Sequence, residues 1–272
     1  METSILILNF RAANFCKKLL QSIEKFPPTS EFEIILVDNF SDENEFFKLK
    51  EICEKFPKKF SARISIFQTK KNRGFAAGVN FGLKKCRGEF IALLNPDIEI
   101  LQSGTFQNLI QFLRKNPRVA AVGPRLIFPN GKTQDSFRRF PSIFDLAIKR
   151  IPFLRKIFAA RLRKFLLWEI DFSRPAPVDW LVGAFLVFRK NAGKEIGNFD
   201  ERFFLFFEDT DFCRRLREKN WEIFFVPKIS ARHAETRLSE TQKWWKIFTT
   251  KMGRVHLFSA VKYFLKFARR GF

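Results

Sequence analysis

The chain has 272 residues, a formal net charge of +22 and 46% hydrophobic residues. This length and apolar content argue against a disordered chain and are sufficient for one large domain or two modest ones. The excess of 50 Lys and Arg over 28 Asp and Glu favours anionic partners, namely nucleotides, nucleic acid or an acidic membrane surface. Composition alone does not select among these partners.

The cysteines and the N-terminus bear on the cellular setting. The four cysteines lie far apart without a CxxC pair, so they predict neither a disulfide framework nor a zinc knuckle and favour a reduced, cytosolic setting. The opening METSILILNF lacks a basic segment and a long apolar run, so it predicts a strand rather than a signal peptide. Other apolar runs are interrupted by charge well before the about 20 residues that a membrane helix needs, and we expect no transmembrane span.

The first half of the chain alternates short β-like runs with longer helical patterns. The predicted strands are SILILNF, EIILVDN, ARISIFQ, EFIALLN and VAAVGPRLI, and the predicted helices cover residues 12–25, 43–56, 75–86 and 103–115. Strand and helix in repetition predict a Rossmann-like α/β layer with a mostly parallel sheet. Ligands are then expected beyond the carboxyl ends of the strands.

The second half begins with an insert at residues 137–172, where basic and apolar residues interleave. Helical spacing predicts a basic amphipathic helix there, with Pro152 near its start and an apolar face of Ile151, Leu154, Phe158, Leu162 and Phe165. A strand in DWLVGAFLVFRK, a helix at residues 209–219 and a strand in EIFFVPKI follow. The chain then ends in a basic helical tail, whose predicted apolar stripe is Trp245, Phe248, Met252, Val255, Phe258, Val261, Leu265 and Ala268.

Two polar stretches in the first half are candidates for holding a nucleotide. Asp38 and Asn39 end the second predicted strand, where they could bind a base or ribose or could form a turn whose Ser41 and Asp42 cap the next helix. In NRGFAAGVNFG the glycines recur every four residues, so the stretch is not the dinucleotide fingerprint, whose glycines are two apart. This spacing places them on one helix face, which allows close approach of either a strand or a ligand.

A metal site and a base are the other candidates. Asn95 and Asp97 lie at the end of the fourth predicted strand, where Asp97 could hold Mg²⁺ or Mn²⁺ or could belong to an Asn-Pro-Asp turn. His233 follows the last predicted strand and is either structural or a ligand. In FFLFFEDTDFCRRL, Asp211 is spaced for an ion pair with Arg215, whereas Glu208 and Asp209 sit behind an aromatic wall that would raise a pKa. One of these two carboxylates is a candidate general base.

Five stretches occur in a characteristic order and are followed by His233: VDNFSD, NRGFAAGVNFG, LLNPD, VDWLVGAFLVFRK and IGNFDERFFLFFEDTDFCRRLREKNW. In this order they closely resemble the inverting family 2 glycosyltransferases of the GT-A fold. The similarity is greatest to the rhamnosyltransferase-like branch, which builds bacterial cell-surface polysaccharides. It covers about residues 3–235. The resemblance implies a GT-A domain at residues 1–235, with the basic tail at residues 236–272.

The resemblance also implies a role for each matching position. The residues implied to line the sugar nucleotide are Asn9, Asp38, Asn39, Asn72, Gly74, Phe75, Asn80, Asn95 and Asp97. Asp97 and His233 match the metal ligands, and Asn95 replaces the first aspartate of the DxD motif, which leaves less negative charge for a metal. Asp209 matches the catalytic base. The residues implied to lie beside the acceptor or to support the base are Gly183, Ala184, Glu208, Asp211 and Arg215.

The implied activity is transfer of a hexose, with rhamnose a candidate, from a dTDP- or UDP-sugar to a saccharide or lipid-linked acceptor, with inversion and a divalent metal. The insert and tail predict a peripheral position on the inner face of the cell membrane, since their cations interleave with aromatic residues. The alternative for the tail is packing on the enzyme or on a second subunit. A rival for the whole chain is a non-enzymatic or catalytically weak protein that binds membrane surfaces or nucleic acid. No familiar nucleic-acid motif supports that rival.

Overall fold

The strands predicted in the first half of the chain form one side of a central sheet in the computed structural model, which describes residues 1–234 and 249–268. They are β1 (Thr3–Asn9), β2 (Phe32–Asp38), β3 (Ile64–Gln68) and β4 (Phe90–Leu94). These strands run parallel in the order β3-β2-β1-β4. Their carboxyl ends therefore meet at one edge, where the polar residues Asn9, Asp38 and Asn39 lie.

Alternate residues of β1 supply two different cores. Ile5 and Ile7 face the side covered by α1 (Ala13–Lys25), α2 (Glu43–Glu54) and α5 (Thr105–Lys115). Leu6 and Leu8 face the side covered by α4 (Phe75–Leu83) and α10 (Glu208–Glu218). A strand covered on both faces is expected to be apolar throughout, which is why SILIL shows no polar alternation. A short helix, α3 (Lys58–Ser61), lies between α2 and β3.

The other side of the sheet is mixed in direction. It contains β5 (Ile98–Ile100), β6 (Val119–Ile127), β8 (Ala176–Pro177), β10 (Phe185–Arg189) and β11 (Glu222–His233). β10 is inserted between β4 and β6 and runs antiparallel to both, while β11 is parallel to β6. The α/β fold class is confirmed, with parallel pairing among the first four strands and between β6 and β11, and antiparallel pairing of β10, β5 and β8 with their neighbours.

The strand predicted in DWLVGAFLVFRK is divided into two. Its first part, β9 (Trp180–Leu181), pairs with β7 (Phe137–Arg138) in a separate two-stranded sheet, and its second part is β10. Val182 still follows β7, since its N–H donates to the Ser136 carbonyl, whereas the Gly183 N–H donates to the Asp209 carboxylate. A short helix, α9 (Lys190–Glu195), follows β10. The apolar run therefore gave no sign that the chain changes sheets at Gly183.

The insert contains three short helices, so the prediction of one amphipathic helix is wrong. They are α6 (Ile143–Arg150), α7 (Pro152–Ile157) and α8 (Ala159–Leu166). Ile151 is extended, with φ of −94° and ψ of 113°, because a residue before proline is disfavoured in the helical region. The helices enclose a small core of their own around Ile148, Leu162, Phe165 and Leu166.

The tail is helical where it is described, as α11 (Lys251–Ala268). Trp245 and Phe248 of the predicted stripe lie outside the described residues. Three residues of the predicted stripe, Phe258, Val261 and Leu265, are exposed. Ala260, Tyr263 and Phe267, which are not part of the stripe, pack against Phe203 and Phe207 of the preceding domain. The helix thus has a second apolar face, and that face is the buried one. Among the helices of the described part of the chain, none is both long and apolar enough to span a bilayer.

Candidate active site

The carboxyl ends of β1 and β2 are joined by Asp38, which is completely buried. Its Oδ1 accepts from Asn9 Nδ2 at 2.7 Å and from the Ser41 hydroxyl at 2.6 Å. Its Oδ2 accepts from the Ser41 N–H at 2.9 Å and from Gln68 Nε2 at 3.1 Å. Four donors within the chain therefore bond to this carboxylate. Asp38 and Asn9 thus hold the strand ends in place, and they do not offer open groups to a ligand.

Asn39 connects the end of β2 to the glycine-containing segment. Its Nδ2 donates to Asn72 Oδ1 and to the Gly74 carbonyl, both at 3.2 Å. Asn72 Oδ1 in turn accepts from the Gly74 N–H at 2.9 Å. The structure thus brings together three of the residues expected along the sugar nucleotide, and their amides hold the turn before α4.

The three glycines of NRGFAAGVNFG have different roles. A Cβ atom on Gly78 or Gly82 would come within 2.6 Å of Leu8 Cδ1 or 2.3 Å of Leu6 Cδ1, so these two glycines let α4 pack closely on β1. Gly74 has φ of +100°, and its Cβ would lie 2.3 Å from the Phe204 carbonyl oxygen. The Phe75 N–H donates to that same oxygen at 2.7 Å. Packing therefore explains two glycines, and contact with the loop before α10 explains the third.

Asn80 also faces that loop. Its Nδ2 donates to the Phe199 carbonyl at 2.8 Å, and its Oδ1 accepts from the Phe199 N–H at 3.1 Å. A further bond reaches Glu201 Oε1 at 3.1 Å. This amide therefore anchors the start of residues 199–207, the loop that leads to the acidic cluster.

Asp97 and His233 meet where β5 pairs with β11. His233 Nε2 lies 3.4 Å from Asp97 Oδ1, and the Ala234 N–H donates to the Asp97 carbonyl at 3.2 Å. On the other side of the ring, His233 Nδ1 lies 2.9 Å from Gln134 Oε1. The order of residues in the sequence does not indicate this third partner, which is almost completely buried in the loop between β6 and β7.

Gln134 fixes which ring nitrogen carries the proton. Its Nε2 donates to the His233 carbonyl at 3.4 Å, so its Oε1 must face the ring. An amide oxygen can only accept, hence Nδ1 of the neutral ring carries the hydrogen and Nε2 presents a lone pair toward Asp97. A lone pair and a carboxylate oxygen directed at one position are the arrangement that suits a divalent cation.

The protein supplies few ligands for such a cation. Within residues 1–234 and 249–268, no group of three or more His, Cys, Asp or Glu side chains is placed to bind a metal. Two protein ligands fit Mg²⁺ or Mn²⁺, which commonly retain waters and bind substrate phosphates in the remaining positions. Asp97 and His233 therefore fit the predicted metal, provided that the donor completes the coordination.

Gly183 and Ala184 connect the candidate metal ligands, Asp97 and His233, to the acidic residues at the start of α10. The Ala184 carbonyl accepts from the Asn95 N–H at 2.8 Å. The Gly183 N–H donates to Asp209 Oδ2 at 3.0 Å. A Cβ on Gly183 would touch Asp209 and come within 4.0 Å of the Phe75 ring. The turn that divides the predicted strand thus places donor-side and base-side residues next to each other.

Glu208 and Asp209 have contrasting surroundings. Asp209 accepts from the Gly183 N–H and, through Oδ1, from the Thr210 N–H at 2.7 Å and the Thr210 hydroxyl at 3.2 Å. Glu208 is buried, and its Oε2 has no hydrogen-bond partner among the described residues. Burial raises the pKa of Asp209, but these donors and the charge of Arg138 oppose the rise. Burial, reinforced by the Asp209 carboxylate, raises the pKa of Glu208 well above its ordinary range.

These surroundings favour different protonation states for the two carboxyl groups. Glu208 is favoured in its neutral form, because burial and the charge of Asp209 outweigh the one backbone N–H, its own, that stabilises the carboxylate. Asp209 is favoured as a carboxylate whose proton affinity is higher than that of an exposed aspartate. Pairs of acids whose environments differ in this way divide the acid and base roles of an enzyme.

Asp211 is fully buried and is held by two cations. Its Oδ2 accepts from Arg215 Nε at 2.7 Å, as the four-residue spacing predicts, and its Oδ1 accepts from Lys266 of α11. Arg215 also donates to the Asn198 carbonyl at 2.6 Å. Both residues therefore support the loop before α10. The lysine lies about 55 residues away in a uniformly basic tail, and no sequence pattern marked it as a partner.

Structural comparisons define the class of the protein. The fold is similar to that of GalNAc-T7, solved with UDP, GalNAc and Mn²⁺, with a TM-score of 0.66 and 18% identity over 86% of this chain and 44% of that one. It is also similar to the mannosyltransferase PcManGT from Pyrobaculum calidifontis, solved with GDP-Man and Mn²⁺, with a TM-score of 0.64 and 16% identity over 96% of this chain and 64% of that one. The chain therefore has the GT-A fold.

Sequence comparisons define the family. The chain belongs to glycosyl transferase family 2, whose model matches residues 4–173, and the model of glycosyl transferase family group 2 matches residues 99–259. It is 30% identical to the N-acetylglucosaminyl-diphospho-decaprenol L-rhamnosyltransferase of Mycobacterium tuberculosis over 53% of this chain, a match that spans only 47% of that relative. It is 24% identical to the rhamnosyltransferase WbbL of Escherichia coli K12, over 95% of this chain and 91% of the relative.

Proposed function

We propose that this chain transfers a sugar, with rhamnose a candidate, from a nucleotide-diphosphate sugar to a saccharide or lipid-linked acceptor in cell-surface polysaccharide biosynthesis. The observation that carries the proposal is the contrast between Asp209, which has three donors, and Glu208, whose Oε2 has no partner within residues 1–234 and 249–268. Membership of the family favours this enzyme over the non-enzymatic rival. The two rhamnosyltransferases among its relatives support the sugar and the pathway class.

Asp209 is the proposed base. It accepts the proton of the acceptor hydroxyl while that oxygen attacks the anomeric carbon from the face opposite the nucleotide, which inverts the configuration. The N–H groups of Gly183 and Thr210 orient its carboxylate. One base is sufficient, because the mechanism includes no covalent sugar intermediate.

The donor is proposed to lie between the glycine-containing turn and the Asp97–His233 pair, with its nucleotide toward the ends of β1 and β2. A divalent cation, Mg²⁺ or Mn²⁺, bound by Asp97 and His233 would act as a Lewis acid toward the diphosphate leaving group. A dTDP- or UDP-sugar is the proposed donor. The UDP and Mn²⁺ in the GalNAc-T7 structure support this general class.

Two neighbouring isosteric substitutions test the base. Asp209→Asn is expected to lower kcat by about 10²–10⁴-fold, the usual contribution of a general base, and to leave donor binding intact. The matched control is Glu208→Gln, which also removes a carboxylic acid and is expected to cost less than about tenfold, because a neutral Glu208 differs little from Gln. Initial rates with a dTDP-rhamnose or UDP-sugar donor would measure both. Near wild-type turnover of Asp209→Asn, or an equal loss in Glu208→Gln, would refute the assignment.

We also propose that the enzyme binds the inner, anionic face of the cell membrane through its insert and tail. The exposed large apolar residues described in the insert and tail are Ile143, Phe144, Phe153, Ile157, Trp168, Phe172, Phe258, Val261 and Leu265. The two parts are adjacent, since Leu146 of α6 packs on the cluster that contains Tyr263 of α11. Exposed apolar side chains among lysines and arginines suit an interface with anionic lipid.

Cosedimentation with phosphatidylglycerol vesicles tests this surface. Phe258 and Phe47 are similarly exposed, at 66% and 70%, but Phe47 lies in α2 rather than in the insert or tail. Phe258→Asp is expected to weaken vesicle binding severalfold, since it replaces an inserted ring by a charge, whereas Phe47→Asp should leave binding unchanged. Failure of the wild-type protein to bind at low salt, or an equal effect of the two substitutions, would contradict the proposal.

A further inference from the structure

The loop before α10, residues 199–207, is held between two helices that are distant in sequence. On the donor side, the Phe75 N–H at the start of α4 donates to the Phe204 carbonyl at 2.7 Å. On the other side, the Ser259 hydroxyl of α11 donates to the Leu205 carbonyl at 2.8 Å, and Lys262 Nζ donates to the Arg202 carbonyl at 2.8 Å. Backbone groups of one loop are thus fixed by both the donor helix and the tail.

The last two residues of this loop have an unfavourable backbone conformation. Phe206 and Phe207 have φ of 69° and 66°, in the left-handed region that side-chain-bearing residues avoid. Such residues persist only where their surroundings hold them. Glu208 and Asp209 follow immediately as the first residues of α10. The backbone conformation of Phe206 and Phe207 therefore sets the direction of the first turn of α10.

The groups that hold this pair come from α11. The ring of His256 lies 5.0 Å from that of Phe206 and 5.3 Å from that of Phe207, and Tyr263 lies 5.3 Å from Phe207. Burial, together with the charges of Arg150 and Lys149, lowers the pKa of His256 to about 3, so its ring is neutral at this contact. Aromatic contacts from α11 thus cover the strained residues.

Lys266 bonds to acidic residues on both sides of the strained pair. Its ammonium, 9% exposed, donates to Asp200 Oδ2 at 2.8 Å and to Asp211 Oδ1. Asp200 precedes the strained pair and Asp211 follows the candidate base by two residues. A buried cation between two carboxylates is well satisfied only when both remain in place, so Lys266 resists separation of the loop from α10.

We propose that α11 is a clamp that positions Asp209, with Ser259 and Lys266 as positioning residues. The inference rests on the proposed role of Asp209 as the base. Neither residue touches the reacting groups; both act by holding residues 199–207 so that the carboxylate meets the Gly183 N–H. The tail is thus part of the catalytic machinery, beyond any role at a membrane.

Activity measurements with a water-soluble acceptor test the clamp apart from membrane binding. Ser259→Ala and Lys266→Met are expected to lower kcat by about 10- to 100-fold with little change in the donor KM, since small displacements of a catalytic group have effects of that size. The controls are Ser103→Ala, at an exposed serine before α5, and Lys251→Met, at an exposed lysine at the start of α11. Both controls should retain wild-type kcat. Ser259→Thr should restore activity, because it keeps the hydroxyl.

The pH profile of Ser259→Ala separates positioning from general destabilisation. The groups that interact with Asp209 are Glu208, Thr210 and Cys213 of α10, the Gly183 N–H and Arg138 of β7, and Ser259→Ala changes none of them. A loosened loop admits water to Asp209, which lowers its raised pKa, so the acid limb of kcat should move to lower pH. A loss of the same factor at every pH would mean that the variant only reduces the folded fraction, and would overturn the clamp.

Hydrogen exchange gives a readout that does not depend on catalysis. Lys266→Met should accelerate amide exchange in residues 203–211 and leave that of α1 unchanged. Unchanged exchange in residues 203–211 would also overturn the proposal. Failure of the proposed function would appear elsewhere, as turnover by Asp209→Asn, so the two results are distinguishable.

Discussion

The proposed donor side and the proposed base side of the site differ in how their polar groups are satisfied. At the ends of β1 and β2, the Asp38 carboxylate has four donors, and the amides of Asn39 and Asn72 bond to each other. Before α10, two residues are strained and the buried Glu208 oxygen has no partner within the described residues. The first region has the satisfied hydrogen bonds of a structural scaffold. The second retains unfavourable features at the place where a proton is proposed to move.

This difference shows which part of the site depends on distant sequence. The scaffold is local, since Asn9, Asp38 and Asn39 lie on adjacent strands, and Asn72 follows the next strand. The base side depends on α11, about 50 residues further on, through Ser259 and Lys266. We expect substitutions in the scaffold to affect folding first, and substitutions around the base to affect function first.

The largest effect on stability is expected at Asp38. Asp38→Ala removes an acceptor from four donors in a buried site, so the free energy of unfolding should fall by about 3 kcal/mol or more. Asp42→Ala in the same VDNFSD stretch is the control. Asp42 is exposed and caps α2 through the Glu45 N–H, at 3.1 Å, so its loss should cost about 1 kcal/mol. Urea titrations of both variants provide the measurement, and equal losses would remove the distinction between scaffold and surface.

A smaller effect is expected at Gln134, and it concerns metal binding rather than folding. Gln134→Leu removes the acceptor that keeps the His233 lone pair directed at Asp97, and affinity for Mn²⁺ should fall by about 10- to 100-fold. Gln107→Leu in α5 is a suitable control. Titration of Mn²⁺ in the presence of UDP, followed by electron paramagnetic resonance of the free ion, measures the affinity directly. Unchanged affinity would mean that the ring is oriented without the glutamine.

The sequence predicted those parts of the fold and site that are encoded locally. The first four strands and their helices follow from apolar runs and periodicity, and the Asp211–Arg215 pair follows from helical spacing. The split at Gly183, the three helices of the insert and the partner of His233 depend on which segments meet in space. Periodicity also identified only one apolar face of α11, because the face that packs against Phe203 and Phe207 includes Ser259 and Lys266, which are polar in sequence.

The smallest effect is expected from the buried carboxyl of Glu208. Its pKa is raised in the folded protein, so between the ordinary glutamate pKa and the raised one the folded state binds a proton that the unfolded state lacks. Its contribution to stability is therefore complete at low pH and is lost as pH rises.

Glu208→Gln removes this titration while Asp209 retains its own. The variant should gain stability relative to the wild-type protein as the pH rises from about 4, below the ordinary glutamate pKa, toward pH 8. Thermal unfolding at both pH values measures the difference, and Glu218→Gln at the end of α10 is the control. A difference that stays constant or shrinks as the pH rises would mean that Glu208 is ionised in the folded protein. The neutral neighbour assumed for Asp209 would then be excluded.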